Sequence, residues 1–264
     1  MTIINSLDNK KIKDLAHLRK AGKRRGRELI IIDGQREIEM ALKAGVEAVE
    51  LFYCPTLITS GSELMNSFLG LEADKLTEVS AAVFQKICYK EKPDGFLLLA
   101  KEPVRTLDNL KLGKSPLIII LEAVEKPGNL GAIIRTAYAV GADAVIINSS
   151  QTDIYNPNVI RASEGFIFIE PVVKAEVAET VAWLKKHKIK SLAAATKAKE
   201  DYHNVNLKGP VAIVLGSEAE GLSTKWLKAA DKLLKIPMKK GIDSLNVSVA
   251  SAIIVFEAQR QRNS

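Results

Sequence analysis

The chain has 264 residues, 47% apolar and 26% charged, with 38 Lys and Arg against 31 Asp and Glu. These values suit one or two globular domains and exclude collagen, coiled-coil and wholly disordered chains. No apolar run nears the roughly 18 residues of a membrane helix, Met1–Lys20 has no secretory core, and Cys54 and Cys88 make neither a disulfide framework nor a metal set, so a cytoplasmic, reduced chain without membrane or metal partners is expected.

Charge is concentrated at the start. Residues 1–30 hold nine basic side chains against three acidic ones, +6 of the chain's +7, leaving +1 for the rest. Lys23, Arg24, Arg25 and Arg27 form the densest part, and such a patch points to a polyanion partner. Leu29–Ile32 then reads as a strand ending at the Asp33-Gly34 turn. Arg36–Ala44, apolar at Ile38, Ala41 and Leu42, reads as a helix stopped by Gly45. Val49–Tyr53 and Gly95–Ala100 add strands, giving a small α/β domain over residues 1–105. The stretch Lys101–Ser115 thins in apolar residues and admits Pro, Gly and Asn, as linkers do.

Residues 106–264 are read as a second α/β domain. Continuous aliphatic runs at Leu117–Leu121, Ala144–Ile147, Phe166–Ile169, Leu192–Ala195 and Val211–Leu215 fit strands covered on both faces, as in a parallel sheet. Leu130, Ile133, Ile134, Ala137 and Val140 form one helical stripe. Val247, Ala250, Ser251, Ile254 and Ala258 form another within Ser244–Arg260. The expected fold is a doubly wound sheet working at its strand C-terminal ends.

The common signatures are missing. There is no phosphate-binding G-x-x-x-x-G-K-[ST] loop, no G-x-G-x-x-G after a strand and no G-x-S-x-G elbow. His17, His187 and His203 are dispersed, as surface histidines are. Three other segments stand out. Glu125–Gly141 enters its helix through Pro127 and Gly128, with Asn129 placed to cap it and Arg135 turned away from the apolar stripe. Val211–Ser223 runs from a strand into Gly216 and Gly221, with Glu218 and Glu220 between them and Ser223 placed to cap a helix from Thr224. Ile236–Arg262 passes from Ile-Pro-Met through a loop to Ser244, Asn246 and Ser248. Each segment alone is also explained as a solvated arginine, a plain strand-turn-helix link or an N-cap box. One helix start needs one cap, however, and the last segment offers three small polar residues.

Taken in order, these segments resemble the SpoU/TrmH family of RNA ribose 2′-O-methyltransferases, in the SPOUT superfamily. The N-x-G-x-x-x-R helix start is Asn129 to Arg135. The G-[NSA]-E-x-x-G-[LM] loop is Gly216 to Leu222. Ile236-Pro237-Met238 precedes S-L-N-V-S-V-A at Ser244 to Ala250, and Asn156–Gly165 also looks familial. The resemblance covers Pro116 to Arg262. The N-terminal block looks like the small RNA-binding domain of ribosomal-RNA members.

The resemblance implies a deep trefoil knot, a homodimer, S-adenosylmethionine as cofactor and methyl transfer to a ribose 2′-hydroxyl in RNA, of the 23S ribosomal type. Asn129, Arg135, Glu218, Ser244 and Asn246 are implied as catalytic. Leu215, Gly216, Ile236, Met238 and Leu245 are implied at the cofactor. Ser217, Ala219, Glu164 and the Lys239-Lys240 pair depart from the family pattern. The family casts Arg135's equivalent as the base; a guanidinium with pKa above roughly 12 is better suited to clamp an RNA phosphate. A base-methylating SPOUT enzyme fits the S-L-N-V-S signature poorly, and a nucleotide-dependent oxidoreductase lacks its fingerprint.

Overall fold

The computed structural model describes residues 2–18, 28–58, 75–149 and 152–264. The chain divides into two compact units: Met1–Pro103 with Asp153–Ile169, and Val104–Thr152 with Glu170–Ser264.

In the first unit, β1 (Thr2–Ile4), α1 (Lys10–Leu18), β2 (Leu29–Asp33), α2 (Gln35–Lys43), β3 (Ala48–Tyr53), β4 (Leu76–Val79), α3 (Ala81–Ile87) and β5 (Phe96–Lys101) follow in chain order. The sheet order is β1-β4-β3-β5-β2. β5 runs antiparallel to both neighbours, so the sheet is mixed. Helices α1 and α3 bury Ile12, Leu15, Val83, Phe84 and Ile87 against Ile31, Phe52 and Leu97 of the strands. Ser80 caps α3 by accepting from Val83 N.

The second unit begins with β6 (Leu117–Glu122), α4 (Pro127–Val140) and β7 (Ala144–Asn148). The chain then enters the first unit through α5 (Pro157–Ala162) and α6 (Phe166–Ile169). It returns for β8 (Val172–Lys174), α7 (Val177–Lys186), β9 (Lys190–Ala194), β10 (Glu200–Asp201), β11 (Val211–Leu215), α8 (Thr224–Ala229), β12 (Lys232–Lys235) and α9 (Val247–Arg262). All seven strands are parallel, in the order β10-β12-β9-β11-β6-β7-β8. β6, β7 and β11 are buried along their whole length, which is why these segments lack polar alternation. Trp226, Trp183, Val177 and Leu184 cover one face of Ile118, Ile120, Ile146 and Val214.

Two expectations are corrected. Phe166–Ile169 is helix α6, not a strand. A four-residue apolar run carries no period that separates the two, and here positive φ at Glu164 and Gly165 turns the chain just before it. By their packing, residues 153–169 belong to the first compact unit. Gly165 lies so close to α2 that a Cβ there would stand 2.9 Å from the Met40 Cβ, and Glu164 pairs with Arg36 at 2.5 Å. The unusual Glu164 thus has a local ionic partner. Finally, Asn129 does not cap α4: Lys126 is the N-cap and Pro127 opens the helix, where a fixed φ and a missing N–H cost nothing. Asn129 is left inside the first turn with its side chain available for other work.

Candidate active site

Parallel strands put their C-terminal ends on one edge of the sheet, and the strand order reverses beside β6, where open α/β sheets form their crevices. On one side of that reversal, the C-terminal ends of β9, β11 and β12 and the segments after them enclose a cavity of about 590 Å³, within the range of small-molecule sites. Its walls include Leu215, Gly216, Ile236, Met238 and Leu245, so all five positions implied for the cofactor line it.

The loop after β11 is shaped by its own backbone. Ser217 and Gly221 exchange hydrogen bonds, Ser217 N to Gly221 O at 3.2 Å and Gly221 N to Ser217 O at 3.0 Å. At Gly216 a Cβ would stand 2.1 Å from the Gly221 carbonyl carbon, so only glycine permits this closure. The Ser217 hydroxyl accepts from Glu220 N at 3.1 Å; serine here serves the turn. The bend turns Glu218 towards α4.

There the polar candidates meet. Asn129 Nδ2 donates to Glu218 Oε1. Asn246 Nδ2 donates to Asn129 Oδ1 at 3.2 Å. Asn246 Oδ1 accepts from Ser248 N at 2.9 Å and Ser248 Oγ at 2.6 Å. Asn246 is therefore the N-cap of α9 and also carries a bond across 117 residues to α4. Ser223 caps α8 through Trp226 N, as expected. Ser244 is exposed and lines the cavity with Glu218 and Asp243. Arg135 is exposed on α4, six residues beyond Asn129, and is not among the described residues lining the cavity. Lys23, Arg24, Arg25 and Arg27 lie outside the described residues.

As site residues, the sequence did not single out Ala194, which ends β9, Ala195, Thr196 and Lys197, which follow it, or Asp243, all of which line the cavity. The available signal was positional: they leave the C-terminal end of a strand in a parallel sheet.

Residues 116–256 match the model of the SpoU rRNA Methylase family, and residues 9–98 match that of an MRM3-like substrate binding domain. The chain is 30% identical over 257 residues to the 23S rRNA (guanosine(2553)-2′-O)-methyltransferase RlmP of Bacillus subtilis, covering 97% of this chain and 98% of that one. It is 37% identical over 156 residues to the 23S rRNA (guanosine-2′-O-)-methyltransferase RlmB of Vibrio parahaemolyticus, covering 59% and 63%. A solved RNA 2′-O ribose methyltransferase superposes with a TM-score of 0.85 at 39% identity over 100% of both chains. The AdoMet-bound rRNA methyltransferase of Sinorhizobium meliloti superposes with 0.88 at 27%, covering 98% and 97%. With a parallel sheet, a cavity at its strand ends and both family models matched in order, the chain belongs to the SpoU rRNA Methylase family.

Proposed function

We propose that this methyltransferase moves a methyl group from S-adenosylmethionine to a ribose 2′-hydroxyl of 23S-type ribosomal RNA, with Asn129, Arg135, Glu218, Ser244 and Asn246 at the reaction centre. The observation that carries this reading is the bonded series Glu218–Asn129–Asn246, assembled beside the cavity from three segments far apart in sequence. The cavity's chemistry fits the cofactor. Leu215, Leu222, Ile236, Met238 and Leu245 offer apolar walls to a flat base, while Glu218 and Asp243 offer negative charge to a sulfonium. When bound, the cofactor supplies an electrophilic methyl on that sulfonium.

The chain's own residues do the rest. Asn129 holds the Glu218 carboxylate, and Asn246 holds Asn129 while fixing the start of α9, so the polar wall is set before RNA arrives. Ser244 stands in the cavity wall within the same loop. Arg135, exposed on α4, is suited to bind an RNA phosphate and orient the hydroxyl. Further phosphate contacts fall to Lys23, Arg24, Arg25 and Arg27 and to Lys239 and Lys240, the last two exposed in the loop leading to Ser244.

The same reading includes a homodimer, a trefoil knot and a cytoplasmic location. Val249, Ile253 and Phe256 fall one helical turn apart on α9, with Val249 and Phe256 each 48% exposed, and α9 packs on α4, where Tyr138 is also exposed. Such a face suits a second copy of the chain. Support for the knot is that α9 packs on α4 and β11, although β12 lies beyond β9. Among the described residues no helix is long and apolar enough to cross a membrane.

The test is incubation of the protein with methyl-labelled S-adenosylmethionine and unmodified ribosomal RNA. Label in the large-subunit RNA at one nucleotide is expected. Label confined to transfer RNA, or none in any RNA, would contradict the proposal.

A further inference from the structure

Glu122 ends β6 and is only 4% exposed. Its Oε2 accepts from Ser223 N at 2.7 Å and its Oε1 from Ser223 Oγ at 2.7 Å, across 101 residues of sequence. Among the described residues it has no ion-pair partner. A carboxylate taken from water without a counter-charge is tolerated only when its oxygens are well bonded, and both are spent on one serine. Ser223 needs only its hydroxyl to cap α8, which it does by accepting from Trp226 N at 3.5 Å. The carboxylate therefore exceeds what the cap requires.

What it holds is the far end of the cavity loop. β6 and β11 are paired in register, Leu121 opposite Leu215, so Glu122 lies level with Gly216. Gly216 begins the loop, the Ser217–Gly221 bonds close its neck, and Ser223 follows directly after Leu222 in the cavity wall. The near end is fixed by β11, and Glu122 fixes the far end to the neighbouring strand. Between these anchors Glu218 is held against Asn129.

We propose that Glu122 is a positioning residue for the cofactor pocket: through Ser223 it keeps the Gly216–Leu222 loop in the shape that receives S-adenosylmethionine. The inference rests on the cofactor assignment above. Pre-forming a loop removes its ordering cost from binding, so removing the anchor shows up as weaker affinity.

The test uses the full-length protein, with S-adenosylhomocysteine as probe in titration calorimetry and thermal melts alongside. Wild type binds. Glu122→Ala is expected to weaken binding about tenfold or more per folded molecule, while Ser223→Ala, which keeps the backbone N–H bond, weakens it less. Glu122→Gln restores most of the affinity, because its carboxamide can accept from Ser223 N and donate to Ser223 Oγ. The double alanine variant is expected to bind no more weakly than Glu122→Ala, since both act through the same pair of hydrogen bonds. Unchanged affinity in folded Glu122→Ala would overturn the inference. If that variant does not fold, unchanged affinity in Ser223→Ala overturns it. Failure of wild type to bind would instead remove the cofactor assignment, and this inference with it.

Discussion

Arg135 and Asn246 show how much one side chain can be asked to do. Asn246 caps α9, a task worth about 0.5–2 kcal/mol, and also bonds Asn129 at 3.2 Å. Asn246→Ala should cost that much stability, yet lower methyl transfer per folded molecule about tenfold or more, equivalent to about 1.4 kcal/mol of transition-state stabilisation. Single-turnover rates normalised by active-site titration check this; equal rates would leave Asn246 as a cap alone. Arg135→Lys separates a phosphate clamp from a base. Lysine keeps the charge but loses the planar fork, and its reference pKa of about 10.4 makes it the easier group to deprotonate. The clamp predicts low activity at every pH with cofactor affinity intact. A rate climbing towards wild type at high pH would support the base. Glu170 tests electrostatics away from the site. Burial pushes its carboxyl up to about 8, the Arg105 guanidinium opposes this and Asp143 adds to it; Glu170 Oε1 has no hydrogen-bond partner among the described residues. The folded state therefore holds a proton that the unfolded state releases at its ordinary pKa of 4.5. Stability from this group is full below pH 4.5 and is lost as pH rises through about 8, because each pH step between the two values costs the folded state about 1.4 kcal/mol. Glu170→Gln should flatten that decline in melts between pH 5 and 9; parallel curves for the two proteins would refute it.

Elements differ in how plainly they could be read. Val211–Leu215 and Leu117–Leu121 are legible because strands buried on both faces need unbroken aliphatic sequence. Phe166–Ile169 is equally unbroken in apolar residues and is a helix, since its fate is decided by the Glu164–Gly165 turn and by packing on α2, which no four-residue pattern encodes. β8 and β12 carry few residues each, too few for a pattern. At the site, motif order located the cavity loops, whereas Ala194–Lys197 became visible only when strand order brought β9 beside β11. Lys239 and Lys240 belong to this scale too. They stand in the loop between β12 and α9, and changing both to Gln should reduce the salt dependence of RNA binding by about 0.7–0.9 for each phosphate no longer neutralised. Cofactor affinity should stay unchanged. Filter binding across a salt series checks this; an unaltered slope would return the pair to the solvated surface.

For the whole molecule, the division into units sets what a fragment can do. All cavity residues lie in Val104–Thr152 and Glu170–Ser264, so residues 104–264 expressed alone should retain S-adenosylhomocysteine binding. The same fragment lacks the α2 surface on which α6 packs, leaving buried Ile167 and Phe168 without their cover. Limited proteolysis should therefore cut within residues 153–169 of the fragment and spare them in the full chain; equal protection in both would contradict the grouping. The central claim is the identity of the methylated atom. The most direct measurement is digestion of ribosomal RNA, labelled by this protein and S-adenosylmethionine, to nucleosides, followed by mass spectrometry of the labelled species. The account predicts a fragment ion that places the methyl on ribose, with the adjoining linkage resistant to alkali because its 2′-oxygen is blocked. A methyl retained on the free base, with the linkage still cleaved by alkali, would contradict it.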